Sequence, residues 1–457
     1  MGAPPNERAS ECNNAHDETM TSSDDSSESR RGASPTPVWR ASLAAGAGSA
    51  IEYYDFSLYA NMAIFLAPLF FAKGDPTAAM LNTLAIFASG FLMRPVGAIF
   101  FGWLGDTRGR KIALLSSILT MGIVSAATGL LPTYADAGLV APLLLVVVRL
   151  VQGFCAGGEA SGAATYIAEN SPRRLRGFFG AFTPAGIALG TAFAGGVAGI
   201  CSWILSDQQM QDFGWRIPFL LSFPLAIFCV LLRRALPEEE NDRNVERSGE
   251  NPLKYVLRHE RPALIKVILL AFAITCTGYV GHVYLNVHLT SELGHPKALS
   301  LNMNSVITVL FAILMPASAY LSDIWGRRRV FGIAMVGYIV LTIPMFKLME
   351  STNVVILGIA MAVSFIPWVF SQAIGYPLVT EVVGGAARYT AVAFGFGIGT
   401  IIGGGCGPYI AKWLTAATGW SLAPAAYMSV AALIGALTLL KVGASRIDET
   451  PLEKSNA

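Results

Sequence analysis

The chain has 457 residues, of which 53% are hydrophobic and only 14% charged, and its 32 Lys and Arg against 30 Asp and Glu leave a net charge of +2. A soluble protein carries about 25% charged residues, so this composition excludes an ordinary water-soluble enzyme, and the near-neutral balance gives no basic surface for nucleic acid. Six cysteines (Cys12, Cys155, Cys201, Cys229, Cys276, Cys406) form no CxxC pair and imply neither a disulfide framework nor a zinc site.

Residues 1–37 are rich in Ser, Asp, Glu and Asn, and they predict a disordered tail without the pattern of a secretory signal. From Ala41 onward the character changes. A bilayer core requires about 20 mostly apolar residues per helix. Twelve such stretches follow: 41–69, 80–104, 112–132, 139–168, 177–203, 215–235, 263–289, 299–322, 330–349, 353–380, 389–412 and 420–443. Runs such as Leu143–Val148 lack the polar face that a buried helix of a soluble protein shows at 3.6-residue spacing. The expected fold is therefore all-α and integral to the membrane, with 12 transmembrane helices.

Basic residues collect in alternate loops. One set holds Arg108, Arg110 and Lys111, then Arg173, Arg174 and Arg176, then the segment 236–262, then Arg327, Arg328 and Arg329, and Arg388; the other set holds only Lys73, Arg216, Lys297, Lys347 and Lys412. Lys and Arg favour the cytoplasmic side, which predicts both termini inside. The charged segment 236–262 separates six helices from six, giving a tail 1–40, a bundle 41–235, a loop 236–262, a bundle 263–443 and a closing tail 444–457.

The halves repeat. Asp106-Thr-Arg-Gly109-Arg110-Lys111 after the second stretch matches Asp323-Ile-Trp-Gly326-Arg327-Arg328 after the eighth, at an offset of 217. Glu169 and Arg176 after the fourth match Glu381 and Arg388 after the tenth, at an offset of 212. Parallel repeats of this kind are one known plan for secondary transporters, with the substrate between the halves near the midplane.

The Asp106–Lys111 loop is similar to the signature loop of the major facilitator superfamily. Within it, the chain resembles the metabolite:proton symporter family, whose members carry α-ketoglutarate, citrate, shikimate or proline and betaine. The resemblance rests on Glu52-Tyr-Tyr-Asp55-Phe56, Gly90-Phe-Leu-Met-Arg94-Pro95-Val-Gly97, Arg149-Leu-Val-Gln152-Gly153 with Gly157-Gly158-Glu159, and Gly214-Trp215-Arg216-Ile-Pro218-Phe219. Thr107 stands where that loop often has Arg. The resemblance implies the major facilitator fold of two pseudo-symmetric six-helix bundles, alternating access, proton-coupled uptake of a small polar metabolite and a bacterial inner-membrane location. An organic carboxylate is the leading substrate class, with a proline- or betaine-type osmolyte as the alternative and drug export behind both. It also implies a coupling role for Arg149 with Gln152. No cofactor, metal or catalytic constellation is expected. Gly395–Gly405 mimics a nucleotide loop but has neither a preceding strand nor the following Lys-Ser/Thr.

Charges inside a membrane cost at least a few kcal/mol and mark function. They concentrate in the first half: Glu52, Asp55, Arg94, Arg149 and Glu159. Glu52, Asp55 and Tyr59 lie at i, i+3 and i+7 on one helix face, which suits first a proton-carrying cluster and after it an ion-paired brace. Arg94 presents a fork for a carboxylate, either the substrate's or one from the first helix. In the second half, Tyr279 and His282, and Trp368, Gln372 and Tyr376 at i, i+4 and i+8, offer aromatic and amide groups to a ligand. Together with Tyr59, Arg94 and Gln152 these form the expected substrate site. Asp106, Arg110, Lys111, Glu169, Arg176, Asp323, Arg327, Arg328, Glu381 and Arg388 are expected to gate it by salt bridges at the cytoplasmic face.

Overall fold

A computed structural model describes residues 38–72, 74–157, 171–172, 175–234, 252–383 and 388–442. Among them there is no strand. Twelve helical segments are named here in chain order: α1 (Val38–Asn61, continued by Ala63–Phe70), α2 (Pro76–Arg108), α3 (Arg110–Thr128), α4 (Val140–Ala156), α5 (Arg176–Gly180 and Phe182–Ile204) and α6 (Arg216–Leu220 and Ser222–Arg234). Then come α7 (Arg261–Gly278, carried on to Glu292), α8 (Lys297–Trp325), α9 (Arg327–Leu348), α10 (Val354–Val382), α11 (Arg388–Thr400, carried on to Thr418) and α12 (Ala423–Leu440). Ten helical runs among the described residues are long and apolar enough to cross a membrane. The other two are α1 and α4. α1 carries Arg40, Glu52 and Asp55, and α4 is described for 17 residues only.

Local chemistry sets the ends. Asp75 accepts from the Thr77 N–H at 2.8 Å with Pro76 in the first turn, and Asn353 accepts from the Val355 N–H at 2.9 Å. Such caps satisfy donors that a helix start leaves unpaired. Three differences from the sequence reading stand out. The first stretch breaks at Met62. The inter-half loop contains a further short helix, Pro252–His259. Helices α7 and α11 each contain π-turns, at Tyr279–Val283, His288–Glu292 and Ile401–Gly405. The expected tails 1–40 and 444–457 lie outside the described residues, apart from Val38–Arg40.

Packing follows the repeat. In the first half α1 packs on α5, α2 on α4 and α3 on α6; in the second α7 packs on α11, α8 on α10 and α9 on α12, each pair six helices on from its counterpart. The halves meet where α5 lies against α8 and α2 against α11, again a symmetric pair of contacts. The repeated loop shows the same symmetry in its backbone. Gly109 has φ 102 and ψ 141, and Gly326 has φ 86 and ψ 137. Each donates its N–H to the carbonyl four residues back, Gly105 at 3.0 Å and Ser322 at 3.1 Å. A side chain is strained there, so glycine is what lets one helix stop and the next begin at once.

A Cβ at Gly109 would meet open space. Gly109→Ala is therefore expected to cost about 1–3 kcal/mol through the backbone alone, and Gly326→Ala at least as much from its own positive φ. Thermal unfolding of the detergent-purified protein would show this as a lowered midpoint for either variant.

Candidate functional site

The site begins with a close helix crossing. A Cβ at Gly153 of α4 would lie 1.9 Å from the Gly90 carbonyl oxygen of α2. Only glycine allows that approach, and small residues are how membrane helices come close. One turn before Gly153, Arg149 passes directly over Gly90. A Cβ there would lie 3.0 Å from Arg149 Nε.

Arg149 has no exposure. Its guanidinium carbon lies 4.5 Å from the Phe56 ring centre, 4.8 Å from Tyr59 and 4.8 Å from Phe87. One nitrogen donates to the Phe56 carbonyl at 3.4 Å and to Gln152 Oε1 at 3.1 Å. Gln152 in turn donates to Ser125 Oγ of α3 at 3.1 Å. Nε and Nη2 have no hydrogen-bond partner. Aromatic faces stabilise a cation by roughly 0.5–2 kcal/mol each, less than an unneutralised buried charge costs.

Arg94, on α2, sits beside it. Its guanidinium carbon lies 4.1 Å from the Phe56 ring centre and 4.5 Å from Phe91, and its Nε has no hydrogen-bond partner. The Tyr279 ring of α7 packs on Phe91 next to it. Arg94 lines a narrow cleft with Glu52, Tyr53, Phe56, Ser117 and Cys155. Two guanidiniums with unused donors thus share Phe56 as a common wall.

The first-helix cluster divides. Glu52 lines the cleft with Arg94. Asp55 is 4% exposed, faces Ser222 of α6, and leaves Oδ1 without a hydrogen-bond partner. Tyr59 packs on Arg149 and donates to the Thr83 carbonyl at 3.1 Å. The three share a helix face, but the face is broad enough to meet three neighbours. An Arg94 brace therefore does not hold Asp55.

In the second half, Tyr279 lies 5.4 Å from Phe91 and 6.2 Å from Phe87, ring centre to ring centre, and so joins the arginine group. Gln372 is adjacent, donating to the Ile274 carbonyl at 2.9 Å. His282 forms a separate group, 4.9 Å from Trp368 and 5.3 Å from Phe365. Its backbone carbonyl accepts from Asn304 at 3.0 Å. Tyr376 does not join: it is 36% exposed and packs on Phe396. Pro377 follows it inside α10.

At the Gly109/Gly326 end, Asp323 of α8 accepts from the backbone N–H of Gly177 at 3.0 Å and Phe178 at 3.1 Å. A carboxylate in the first turn of α5 complements its unpaired donors and its dipole. Arg327 lies 3.9 Å from Asp323 and pairs with Glu381 of α10. The expected contact between Asp323 and a basic side chain at the far half is thus a contact with backbone, and Arg176 is exposed. Arg328 is half-buried, and Lys111 is partly buried at the start of α3. Glu159 and Glu169 lie outside the described residues, as do the side chains of Asp106, Arg110 and Arg388.

At the opposite end, Asn286 of α7 donates to Asn61 Oδ1 of α1 at 2.9 Å, with both side chains buried. Glu292 and Lys412 form a buried ion pair between α7 and α11. Lys412, counted above as a loop cation, is inside α11 and 6% exposed. Arg216 fixes α6 to the end of α3 through the carbonyls of Gly129 at 2.8 Å and Leu131 at 2.9 Å. Asn286 stands in the polar stretch of the seventh helix that the sequence already shows; sequence reasoning missed its partner Asn61 and the ring set Phe56, Phe87 and Phe91. Asn61 is a polar residue in an apolar stretch, which was a usable signal. The rings have none, since Phe is ordinary in a membrane helix.

The Major Facilitator Superfamily sequence profile matches residues 47–396 and 268–456. The inner membrane metabolite transport protein YhjE of Escherichia coli is 36% identical over 411 residues, covering 85% of this chain and 91% of that one. The ectoine/proline transporter ProP of Corynebacterium glutamicum is 34% identical, covering 86% and 81%. The shikimate transporter of Escherichia coli is 31% identical, covering 88% and 93%. Among solved structures, a D-xylose-proton symporter superposes with a TM-score of 0.68 at 18% identity, covering 89% of this chain and 97% of that one, which shows the shared fold.

Asp323→Ala removes the acceptor for two α5 donors. The loss of such a cap costs about 0.5–2 kcal/mol, enough to open this junction several-fold more often. A maleimide-reactive Phe178→Cys, in a background without the native cysteines, is expected to label several-fold faster when Asp323 is Ala.

Proposed function

Since the chain belongs to the Major Facilitator Superfamily, we propose that it is a proton-coupled symporter that takes up a small metabolite bearing a carboxylate, with Arg149 and Arg94 as the carboxylate site. The observation that carries this reading is Arg149: wholly buried, walled by three aromatic rings, and with two nitrogens that no group hydrogen-bonds. A planar fork of unused donors is complementary to a carboxylate, in a medium where a charge-assisted pair is strong. The relatives' names fit. Proline, betaine, ectoine and shikimate differ in ring, charge and hydroxyl content but share one carboxylate. The aromatic walls would bear on the rest of such a substrate. A zwitterion of the proline or betaine type meets the same requirement and is the alternative. Tyr59, Gln152 and Tyr279 position the arginines, with Gln372, His282 and Trp368 flanking on the second half.

Asp55 is the proposed proton carrier, with Glu52 beside it at the cleft. A buried carboxylate whose Oδ1 nothing hydrogen-bonds is costly to keep, and the proton it would carry is the one proposed to be coupled to transport. The termini and the Arg-rich loops are assigned to the cytoplasmic side of a bacterial inner membrane, on the loop asymmetry. Substrate passes by alternating access, with the Asp323 and Asn61–Asn286 contacts as the two gates.

Proteoliposomes with an internal pH dye test this. External shikimate, proline, glycine betaine or a dicarboxylate is expected to acidify the interior for one class and not for the others. Asp55→Asn should abolish acidification and uphill uptake while exchange persists. Arg149→Lys keeps the charge but loses the fork, and should weaken uptake at least about tenfold. Normal accumulation by Asp55→Asn would remove the proton assignment.

A further inference from the structure

The transport scheme leaves one buried histidine of the second half without a task. His288 of α7 has no exposure, and neither of its ring nitrogens has a hydrogen-bond partner. Its ring centre lies 5.2 Å from that of Phe346 on α9 and 6.4 Å from that of Tyr284. His288 opens the π-turn His288–Glu292, which the Leu293 N–H closes by donating to the His288 carbonyl at 3.1 Å. Glu292 therefore stands one turn beyond His288 on the same side of α7. There it pairs with Lys412 of α11, whose side chain is 8% exposed. The other charged groups at this corner are occupied elsewhere. At the end of α9, Glu350 pairs with Lys347 and accepts from Ser421 at 3.0 Å. His295, in the loop after α7, donates from Nε2 to the Met349 carbonyl at 2.8 Å.

The buried corner thus balances one carboxylate against one cation. A proton on His288 makes two cations for that carboxylate, and an unneutralised buried charge is costly, so one cation has to leave. His288 is short, wholly buried and packed on two aromatic rings, whose faces hold a cation. Lys412 has a flexible four-carbon stem that can carry its ammonium to water. Losing the Lys412–Glu292 pair unties α11 from the end of α7, and two residues before His288 stands Asn286, whose bond to Asn61 joins the halves. We propose that His288 is the proton-operated latch of this gate: protonated, it takes Glu292 from Lys412, releases α7 from α11 and lets the Asn61–Asn286 contact open. The proposal rests on reading the protein as a proton-coupled symporter with this end facing outside, where an arriving proton would open the way in for substrate. It shifts the gate because the proton binds the open arrangement better than the closed one. His288 is a positioning residue, since it acts through Glu292.

Spin labels on the full chain, in a background without native cysteines, test this. Ser291→Cys on α7 with Ala416→Cys on α11, both exposed positions near the ion pair, reports the latch, and Ser291→Cys with Asn82→Cys on α2 reports the gate. Without any substrate, lowering the pH from about 8 to about 5.5, across the range in which histidine titrates, is expected to shift both distributions to longer separations. His288→Gln is expected to keep the short α7–α11 separation throughout, and Glu292→Gln the long one throughout. His295→Gln and Asp55→Asn are expected to respond as the unsubstituted sequence does, which assigns the response to His288. An α7–α11 distance that does not change with pH in the unsubstituted sequence overturns the proposal, whichever variants fold. A full response retained by His288→Gln overturns it as well. A response lost only in His288→Gln and Glu292→Gln, in a protein whose substrates never acidify proteoliposomes, would keep the latch and bring down the proton-coupled reading instead.

Discussion

The structure is arranged around a positive charge that the protein does not neutralise. Arg149 lies mid-helix in α4 with no exposure, and its contacts are rings, a backbone carbonyl and an amide. Each contact lowers the cost of the buried guanidinium, and none cancels its charge. The surrounding sequence serves this placement. Gly90 and Gly153 bring α2 and α4 together so that the guanidinium can cross between them. Phe56, Phe87 and Tyr59 supply the faces, and the Gln152–Ser125 bond fixes the side chain from α3. A static ion pair would have been simpler and would have left no unused donors.

The fold is a duplication whose two copies have diverged in chemistry. The Gly109 and Gly326 turns match to within 16° in φ and 4° in ψ, and the helix pairings match throughout. The side chains do not follow. The first copy holds the buried ionisable residues of the central site. The second holds π-turns in α7 and α11, where the first copy's corresponding helices, α1 and α5, have none. The first half contributes the two arginines with buried, unpartnered nitrogens, and the second brings Tyr279 against the Phe91 ring beside them. A symmetric frame explains how two alternative closures can be nearly equal in energy. The asymmetric contents explain how one cargo site, and not two, is built.

The fold was legible in the sequence because apolar length and Gly, Pro and charge punctuation fix membrane helices almost independently of packing. The second stretch, expected over 80–104, runs Pro76–Arg108, longer only where caps extend it past the apolar core. The site was legible in part. Arg94, Arg149, Gln152 and Tyr279 stand out in the sequence because a polar group in hydrocarbon is conspicuous, and the structure brings them into one neighbourhood around Phe56, Phe87 and Phe91. The division of Glu52 from Asp55 was hidden, because helical periodicity tells which residues share a face but not how many neighbours that face meets. Tyr376 failed for the same reason. The π-turns were hidden too, since an extra residue per turn arises from tertiary crowding at Gly404 and Tyr279 and not from local propensity. The Asp323 contact was anticipated in place and mistaken in partner. Backbone N–H groups carry no sequence signal.

The halves are joined near both ends by a small number of hydrogen bonds, stronger at the carboxylate end than at the amide end. At one end a carboxylate accepts two backbone N–H bonds. At the other, one amide pair is backed by Asn61 donating to the Ser57 carbonyl at 3.2 Å. Charge-assisted hydrogen bonds contribute about 1.5–3 kcal/mol and neutral ones about 0.5–1.5. Neither gate is then strong enough to lock the protein, and neither is so weak that both would open together at appreciable frequency. Alternating access requires the cargo's contacts and the gates' to be of the same order: a cargo that bound far more strongly than a gate holds would never be released, and one that bound far more weakly could not change which gate opens.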